Sequence, residues 1–525
     1  MMKEVKEFST LDCIIKPLDV VRNLLDLIET SDINEFDIPT YFKNIPSIND
    51  TPIYDIPNHS LVRFRAMIQN TGLGHEIYAS SYETRSQNGQ KKWKFNKYTD
   101  DMDMDIDDNE ILDTDLNSAS SIYSNNQLEE RLLYYCVSVP GETDWINERN
   151  SRLLKKLVSK YPFPNEHHMA AIVKIYGKDD DILKVAEVVE FIGVLIHPRI
   201  NVNESNNNDS NNNNLQEDGN EFCFDSMTMS NIPCMHSIFY SNNNIHHSGN
   251  PLLLNYYNNN LYEVSCQASD TRRNLLQYIA SVFGGDEVVA EFVLLQLLSR
   301  VRKNGLTLGK FTLNICNIPS TVTITSPPSI TSSASTLVHT NQFSKNVSKV
   351  LSSILPKYHD LQFTLSTLNE IDYFPNSNND ELNSGVFQVS KGTWFLIDET
   401  VMKEGKLNDK GVKNLQALNN LIDNQKLLYT FPFYDFEFET DIGIIILSEA
   451  KPFLPYIENQ FVIQRRNASR NGQILINHFD LQLRMTLARL VTLSFGESEL
   501  TKELWDYTQR LDEMRKRRMA NFKQR

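Results

Sequence analysis

The sequence predicts two architectures in one chain, an antiparallel β barrel in the N-terminal half and an α/β domain with a mainly parallel sheet in the C-terminal half. Three observations support this division. Short segments between residues 56 and 200 alternate apolar and polar side chains with the period of two that is typical of strands. After about residue 270, helical patterns alternate with apolar strands. Between the halves lies NVNESNNNDSNNNNLQEDGN, which cannot bury enough apolar surface to form a core.

The N-terminal half supplies the strands of the predicted barrel. In SLVRFRAMIQ, one face carries Val62, Phe64, Ala66 and Ile68. Further strands are predicted in HEIYASSYE, KWKFNKY, LLYYCVSVP, AAIVKIYG and VVEFIGVLI, and an Asn-Gly turn signal separates the first two of these. Many short strands of this kind indicate a small antiparallel barrel of the oligonucleotide/oligosaccharide-binding (OB) type.

The C-terminal half alternates helices with apolar strands. The helical pattern TRRNLLQYIASVF ends at Gly284-Gly285, and the next segment, DEVVAEFVLLQLLSRV, is apolar on nearly all sides and should form a buried helix. The remaining predicted helices are 341–355, 412–422, 481–494 and 499–518, and the predicted strands are 310–316, 361–368, 394–398 and 442–450. This order implies an α/β domain with helical ends.

These patterns give a predicted division of the whole chain. It consists of a helix (18–29) and Pro-rich extended segment at 1–55, an OB-like β domain at 56–200 with an acidic disordered insertion at 99–128, an Asn-rich linker at 201–220, a connecting segment at 221–270, and an α/β domain with C-terminal helices at 271–525.

Composition excludes several classes of protein. The chain has 525 residues, enough for two or three domains, and a formal net charge of −16, which makes duplex DNA an unlikely main ligand. Its six cysteines are scattered without a C-x-x-C pair, as expected of a reduced intracellular protein. The N-terminus lacks the pattern of a signal peptide, and no apolar run approaches the roughly 20 residues that span a bilayer. We therefore expect a soluble protein that is not secreted.

The segment KGTWFLIDET raises the question of ATP chemistry. Its apolar strand runs directly into Asp398 and Glu399, and in P-loop ATPases a buried strand of this kind delivers an Asp to magnesium and a Glu to water. The alternative is a strand-end pair that caps the turn beyond it, and this interpretation is favoured for the motif alone because such pairs often occur by chance. The choice depends on a phosphate-binding loop upstream.

That loop is missing from the sequence. A P-loop needs G-x-x-x-x-G-K-[ST] between a strand and a helix, because glycines expose backbone N–H groups and the lysine neutralises phosphates. The nearest match, GLTLGKF at 305–311, is one residue short, ends in Phe311, and precedes the strand FTLNIC. The loop after that strand, NIPSTVTITSPPS, has neither glycine nor lysine. We therefore predict no nucleotide cofactor and a vestigial role for Asp398 and Glu399.

The order of elements resembles the AAA+ core of the minichromosome maintenance (MCM) helicase family. The matching stretches are the helix from Gly285 to Leu298, the segment from Gly385 to Glu399, and the strand from Gly443 to Pro452. The departures are the absent P-loop, Lys451 before Pro452 where the family has a sensor Asn, and the absence of an S-R-F-D arginine-finger motif. The resemblance therefore implies a degenerate AAA+-like domain without a P-loop.

A closer resemblance is to the MCM complex-binding protein family. The stretches that carry it are SLVRFRAMIQ, YYCVSVPGETDWINE, IVKIYGKDDDILKVAEVVEFIGVL, the helix to LLQLLSRV, LTLGKFTLNI, WFLIDET and ELWDYTQRLDEMRKRR. It covers most of the chain apart from the acidic insertion, the Asn-rich linker and the Ser/Thr-rich loop. The resemblance implies a nuclear, non-enzymatic partner of MCM helicase subunits that contacts chromatin indirectly. It also implies roles in releasing MCM complexes from chromatin, handling their subunits, and sister-chromatid cohesion.

Several other features are candidates for binding. Cys223, Cys234 and His236, with His246 and His247 nearby, contain possible zinc ligands, but the C-x(10)-C-x-H spacing matches no compact tetrahedral pattern, so no metal site is predicted. Isolated cysteines and histidines more often serve as core or loop residues.

Arg63 and Arg65, with the aromatic residues Trp93, Phe95 and Tyr98 nearby in the pattern, could bind single-stranded DNA on the outside of the barrel. A solvated outer face is the favoured reading, because the chain is acidic. The acidic run at 99–119 is interpreted as a solvated insertion, with mimicry of DNA as the alternative.

The C-terminal helix ends in a basic tetrad, Arg515, Lys516, Arg517 and Arg518. These cations could stabilise the negative end of the helix dipole, serve as a nuclear import signal, or do both. At this level three functions stay open: a regulator that binds MCM subunits, an AAA+ ATPase with an atypical nucleotide site, and an OB module for single-stranded DNA. The missing P-loop favours the first.

Overall fold

The computed structural model describes most of both predicted halves. The described residues are 44–86, 91–95, 97–100, 110–112, 127–143, 161–163, 168–176, 183–198, 232–241, 261–304, 306–309, 311–318, 322–325, 338–378, 381–431, 435–449 and 478–524, with 10–15 and the single positions 17, 20, 145, 166 and 433. The predicted linker at 201–220 lies outside them, as does the predicted helix at 18–29 apart from Val20.

The chain forms two compact units. Unit 1 comprises Met1–Pro140, Glu148–Ile245 and Asn378–Leu382, and unit 2 comprises Gly141–Asn147, His246–Ser377 and Asn383–Arg525. Unit 1 consists mainly of strands and unit 2 of helices and strands, so the mixed class of the fold is as expected.

Unit 1 contains a ring of five paired strands. Its elements are helix α1 (Thr10–Ile15), a 3-10 turn (Ile53–Asp55), and strands β1 (Leu61–Asn70), β2 (His75–Ser86), β3 (Lys91–Phe95), β4 (Glu110–Leu112), β5 (Gln127–Ser138), β6 (Ala170–Tyr176), β7 (Val188–Ile196) and β8 (Cys234–Ser241). Strand β1 pairs with both β5 and β7, β8 joins β7 to β6, and β6 returns to β5, which closes the ring. All of these pairings are antiparallel except β6–β8. Strand β2 continues the sheet outward from β5 and carries β3 and β4.

The predicted inner face of β1 is confirmed. Val62, Phe64, Ala66 and Ile68 are all fully buried in one apolar cluster with residues of β5, β6 and β7. Because consecutive side chains of a strand point to opposite faces, this cluster fixes the register of the ring.

The opposite face of β1 differs from expectation, because all of its side chains except the partly exposed Arg63 are buried. Leu61 packs with Cys13, Val20 and Ile45 in a second buried cluster. Arg65 is 8% exposed, and the Asn49 side chain binds its backbone carbonyl and amide at 2.9 Å each. The N-terminal segment therefore covers a face that the charged residues of β1 had marked as exposed.

Two further features of unit 1 fall in segments that the sequence assigns to irregular structure. Strand β8 lies within the predicted connecting segment at 221–270, and it completes the ring of strands. Strand β4 lies within the predicted disordered insertion at 99–128, and β5 begins inside the end of that insertion. Both strands depend on pairing with distant partners, so their own sequence gives only a weak signal.

Unit 2 is built on a four-stranded parallel sheet. The strand order is β11 (Leu313–Ile315), β20 (Ile442–Leu447), β17 (Thr393–Asp398) and β14 (Tyr358–Gln362), and each neighbouring pair is parallel. The helices of unit 2 are α2 (Leu261–Val282), α3 (Glu287–Leu298), α4 (Gln342–Ile354), α5 (Leu365–Glu370), α6 (Asp409–Asn424), α7 (His478–Ser494) and α8 (Lys502–Gln524). The remaining strands are β9 (Arg302–Asn304), β10 (Leu306–Leu308), β12 (Val322–Thr325), β13 (Val338–Asn341), β15 (Asn376–Asn378), β16 (Glu381–Asn383), β18 (Lys426–Thr430) and β19 (Asp435–Glu439).

The helix boundaries near residue 285 follow from local chemistry. Gly284 and Gly285 adopt φ values of +67° and +83°, a backbone conformation that ends α2 and that other residues rarely adopt. Asp286 then caps α3, because its carboxylate accepts the amides of Val288 and Val289 at 3.1 and 3.2 Å. Helix α3 is buried against the sheet on one side and against α7 and α8 on the other, as its apolar sequence predicts.

The centre of the sheet depends on one close approach. A Cβ atom at Gly443 would lie 2.1 Å from the Trp394 ring, which is 2% exposed and stacks over β20. Only glycine fits at this position, so strands β17 and β20 pair closely beneath the indole.

The predicted strand at 361–368 is confirmed only for residues 361 and 362. Strand β14 ends at Gln362, and Thr364 begins helix α5 with a capping box in which Thr364 and Thr367 exchange side-chain and backbone hydrogen bonds. The β-branched residues that suggested a strand therefore act as caps. The hairpin β18–β19 was not predicted either, although its strands are paired over five residues. Among the helices in the described part of the chain, none combines the length and hydropathy needed to cross a bilayer.

Candidate functional site

The carboxyl end of the parallel sheet is where a nucleotide site would lie, and Asp398 ends its central strand β17. Asp398 is 4% exposed. Its Oδ1 accepts hydrogen bonds from the amide and the hydroxyl of Thr400 at 2.9 and 2.6 Å. The carboxylate is thus bonded within the turn that immediately follows its own strand.

The same turn is connected to the start of helix α4. The Asn341 amide group donates to the Thr400 hydroxyl at 2.9 Å, while its carbonyl oxygen accepts the Phe343 amide at 3.0 Å. Asn341 is 1% exposed and therefore serves both as the cap of α4 and as a partner of the turn. Hydrogen bonds thus connect Asn341 to Thr400 and Thr400 to Asp398.

The loop after β11 uses its first amides within the protein. The amides of Asn317 and Ile318 donate to the carbonyls of Glu449 and Ser448, at 3.2 Å each, and so extend the pairing of β11 with β20. A phosphate-binding nest needs backbone N–H groups that point at the ligand, and these two amides are already bonded to backbone carbonyls. Residues 319–321 of this loop lie outside the described residues.

The segment 305–311, the nearest sequence match to a P-loop, includes the second strand of a hairpin. Strands β9 and β10 pair antiparallel in this hairpin, and Gly309 follows β10 with φ +80°. A Cβ atom at Gly309 would lie 2.5 Å from the Arg300 carbonyl, so the glycine serves close backbone packing. Lys310 lies outside the described residues. The described parts of this segment and of the loop after β11 thus provide no cradle of free amides at the carboxyl end of the sheet.

A second polar site lies in unit 1, where Asp100 and three other charged side chains, Glu76, Arg131 and Lys174, converge. Arg131 Nη2 and Lys174 Nζ lie 2.6 and 2.8 Å from Asp100 Oδ1. The same two cations contact Glu76 Oε2 at 2.8 and 2.9 Å. Burial alone would raise the pKa of Asp100, but His236 and Lys174 outweigh it and hold this pKa well below its ordinary value. The four groups form a network of two anions and two cations, which we call the Asp100 network.

The Asp100 network continues to a buried histidine on β8. The His236 side chain is fully buried, and its Nε2 lies 3.3 Å from Asp100 Oδ2. Burial lowers the pKa of His236, and the adjacent carboxylate opposes that effect only in part. His236 Nδ1 is hydrogen-bonded to the Tyr176 hydroxyl, which also accepts from Arg131 at 2.9 Å.

Cys234 completes this cluster. Its thiol sulfur, an oxygen of the Asp100 carboxylate and a ring nitrogen of His236 lie within 4.8 Å of one another. Burial raises the pKa of the Cys234 thiol to about 12, so the thiol is protonated at neutral pH. Of the zinc candidates found in the sequence, the structure brings Cys234 and His236 together, while Cys223, His246 and His247 lie outside the described residues.

Sequence reasoning missed most of the Asp100 network. Glu76, Arg131 and Lys174 lie on β2, β5 and β6, and nothing in their local sequences suggests that they meet. Asp100 itself was assigned to the acidic insertion. The one available signal was the two-residue spacing of Cys234 and His236, which places both side chains on one face of a strand.

The proposed surface for single-stranded DNA on β1 has a different environment from the one expected. Arg63 lies 3.6 Å from Glu190 on the neighbouring strand β7 and is partly exposed. Tyr98 packs edge-on against Tyr176, with ring centroids 4.8 Å apart, so it belongs to the surroundings of the Asp100 network. The side chains of Trp93 and Phe95 lie outside the described residues.

The basic tetrad of α8 is largely engaged with carboxylates. Arg515 and Lys516 contact Asp512 at 2.7 and 2.8 Å. Arg518 contacts Asp286, the cap of α3, at 2.6 Å. These cations therefore connect the last helix to its own preceding turn and to the start of α3.

Comparison with known proteins identifies the family to which most of the chain is similar. Residues 35–157, 147–456 and 453–519 match the family described as "Mini-chromosome maintenance replisome factor". Relatives named "Mini-chromosome maintenance complex-binding protein" include those of Arabidopsis thaliana (26% identical, covering 91% of this chain and 92% of the relative), Danio rerio (27%, 85% and 80%) and Homo sapiens (24%, 92% and 92%). The matched residues span nearly all of the described structure in both units, and the chain therefore belongs to the Mini-chromosome maintenance replisome factor family.

Proposed function

We propose that this protein is a non-enzymatic regulator that binds the MCM helicase complex or its separated subunits. Support comes from the names of its relatives, which describe proteins that bind the MCM complex and which align with it over most of its length. The chain of 525 residues forms two compact units, and each unit has a surface that could bind a partner.

The observation that carries the non-enzymatic part of the proposal is the state of the sheet end. Asp398 is bonded to Thr400, and the first amides after β11 are bonded to backbone carbonyls. A triphosphate would have to break these bonds before it gained any of its own. Each charge-assisted hydrogen bond contributes about 1.5–3 kcal/mol, so such competition would strongly weaken nucleotide binding.

The architecture suggests how the protein binds. We interpret the closed ring of unit 1 as an OB-type barrel and unit 2 as a degenerate AAA+-like domain without a P-loop. MCM rings resemble this arrangement in having OB-like barrels and AAA+ faces that meet a neighbouring subunit. A protein with both shapes and no ATP chemistry would compete for one subunit's face, and would open or block the ring by mass action.

In our proposal the protein acts in DNA replication in the nucleus. It unloads MCM complexes from chromatin or chaperones their subunits, and through this activity it supports sister-chromatid cohesion and cell division. Its contact with chromatin is indirect, through MCM subunits. The basic tetrad would act in nuclear import mainly through Arg517, the most exposed of its four side chains (80%).

The experiment that tests the proposal is a pull-down with isolated MCM subunits in buffer without nucleotide. We expect the wild-type chain to retain at least one subunit. We also expect Asp398→Asn to retain the same subunit to the same extent, because this carboxylate serves only its own turn. A matched reaction with preassembled MCM rings should give weaker retention or release of subunits.

Two results would contradict the proposal. Failure to bind any isolated subunit would remove the partner, and binding that requires ATP and is lost in Asp398→Asn would point to an atypical ATPase. A filter-binding assay with single-stranded DNA at moderate salt tests the alternative function, an OB module for single-stranded DNA. Such a module would retain the DNA without any MCM subunit.

A further inference from the structure

Three potential metal ligands meet at one place on unit 1. Cys234 and His236 are two residues apart on β8 and therefore lie on the same face of the strand. Asp100 approaches them from the start of the acidic run. The thiol sulfur, an imidazole nitrogen and a carboxylate oxygen lie within 4.8 Å of one another.

The His236 imidazole has an unsatisfied nitrogen that faces this cluster. Its side chain is fully buried, and Nε2 has no hydrogen-bond partner among the described residues. Asp100 Oδ2 lies 3.3 Å away, which is ion-pair distance without the geometry of a hydrogen bond. A buried polar atom of this kind destabilises the folded state unless a partner satisfies it.

The groups around the cluster orient its donors. Arg131 and Lys174 both hold Asp100 Oδ1, which leaves Oδ2 directed at His236. The Tyr176 hydroxyl binds His236 Nδ1, and when a metal ion takes the place of the Nε2 proton, the ring can keep its proton on Nδ1 and offer the Nε2 lone pair to the ion. Partners that fix the ring orientation and tautomer of a histidine in this way are typical of metal sites.

We propose that Asp100, Cys234 and His236 bind a Zn²⁺ ion. Zinc accepts oxygen, nitrogen and sulfur donors, with bonds of about 2.0–2.2 Å to carboxylate oxygen, about 2.0–2.1 Å to histidine nitrogen and about 2.3 Å to cysteine sulfur. At tetrahedral angles these bonds separate neighbouring donors by about 3.3–3.6 Å, which the 3.3 Å between Nε2 and Oδ2 already matches. The thiol sulfur lies within 4.8 Å of the other two donors, and metal binding would draw it to about 3.6 Å from them.

Binding has a defined proton and charge balance. Zn²⁺ displaces the proton of the Cys234 thiol to solvent, and a water molecule completes the tetrahedron. The two carboxylates and two cations of the Asp100 network already compensate one another. The ion would tie Asp100, and with it the start of the acidic run, to β8 of the ring.

The test uses the untagged full-length chain, stripped of metal with a chelator and titrated with Co²⁺ and then Zn²⁺. We expect one Co²⁺ per chain, with the near-ultraviolet absorption of a thiolate–Co²⁺ bond, and displacement of this absorption by one equivalent of Zn²⁺. Cys234→Ser should abolish the absorption band, and Asp100→Asn should weaken Zn²⁺ binding at least 10-fold. Cys316→Ser, which removes a thiol in unit 2, is the matched control and should leave both unchanged.

Two outcomes would overturn the site. One is a wild-type chain that shows no thiolate–Co²⁺ band at stoichiometric metal, a result that does not depend on the folding of any variant. The other is a band that persists in Cys234→Ser or disappears in Cys316→Ser. Circular dichroism of each metal-free variant distinguishes loss of a ligand from loss of the fold.

Discussion

The Asp398 carboxylate in unit 2 and the Asp100 carboxylate in unit 1 are both partly or fully withdrawn from water, but they are stabilised in different ways. Asp398 accepts an amide and a hydroxyl from Thr400, two residues further along the chain. Asp100 contacts Arg131 and Lys174, which lie 31 and 74 residues away, and faces His236. One carboxylate completes a turn, and the other connects strands.

The difference shows what a sequence motif can and cannot reveal. The pair Asp398-Glu399 is conspicuous in the sequence because it follows an apolar strand, yet the hydrogen bonds of the Asp398 carboxylate are local and of the kind that end many strands. The Asp100 network is inconspicuous, yet it gathers three potential metal ligands and four charged groups. The Asp100 network, which no sequence motif marks, therefore has more groups that could bind a ligand than the end of β17 at Asp398.

The largest effect is expected when the Asp100 network loses a cation. Arg131→Met should lower the free energy of unfolding of unit 1 by about 3–5 kcal/mol, because it leaves Asp100 and Glu76 with one cation between them. The Arg131 side chain is only 5% exposed, so water compensates little. Urea denaturation of the metal-free chain, with hydrogen exchange of β5 and β6 peptides to assign the transition, measures the change.

The matched control is Arg63→Met on β1. Its side chain is 32% exposed and lies 3.6 Å from Glu190, so the loss should be below about 1 kcal/mol. Equal losses for the two arginines would contradict the importance of the Asp100 network.

A smaller effect is expected at Asp512, a carboxylate that is held by cations within unit 2. Burial would raise its pKa, but hydrogen bonds from Lys516 and Arg515 outweigh burial and keep the pKa below its ordinary value. Because the folded pKa is lower than the unfolded one, this stabilisation is fully present above the unfolded pKa of about 3.9. It is lost as the pH falls through the folded pKa.

Asp512→Asn should therefore lower the free energy of unfolding at pH 7 by about 1–3 kcal/mol. The difference between the variant and the wild type should shrink as the pH falls below about 4. Thermal denaturation followed by circular dichroism at pH 7 and at pH 3 checks both statements. A difference that stayed constant between the two pH values would show that the carboxylate charge is not the source of the stabilisation.

The smallest effect is expected at Asp398 itself. Asp398→Asn keeps an oxygen that accepts from Thr400 and removes only the charge, so the loss should be about 1 kcal/mol or less. Asp100→Asn, measured under the same metal-free conditions, should cost more, because it leaves Arg131 and Lys174 with one carboxylate. Urea denaturation compares the two variants, and a larger loss at Asp398 would reverse the comparison.

The elements that sequence reasoning predicted correctly are those whose signals are local. The apolar face of β1 and the helix stop at Gly284-Gly285 follow from residue spacing and from the conformational freedom of glycine. The parallel strands β17 and β20 were evident as apolar runs on either side of a helical pattern.

The elements that were missed depend on distant partners. Strand β8 acquires its role only by pairing with β6 and β7, and the outer face of β1 is buried only because the N-terminal segment covers it. Thr364 and Thr367 favour a strand by their side-chain shape, but their hydroxyls form a capping box that begins α5. Of the candidate sites, Asp398 was placed correctly at a strand end, whereas the partners of Asp100 could not be predicted without the pairing of β2, β5 and β6.

The central claim is that the sheet end of unit 2 is a structural turn and that the protein acts by binding. Titration calorimetry of the full-length chain with Mg²⁺ and ATP tests it most directly. We predict no saturable heat at micromolar nucleotide for the wild type, and an identical trace for Asp398→Asn. Stoichiometric binding at micromolar ATP that disappears in Asp398→Asn would contradict the claim.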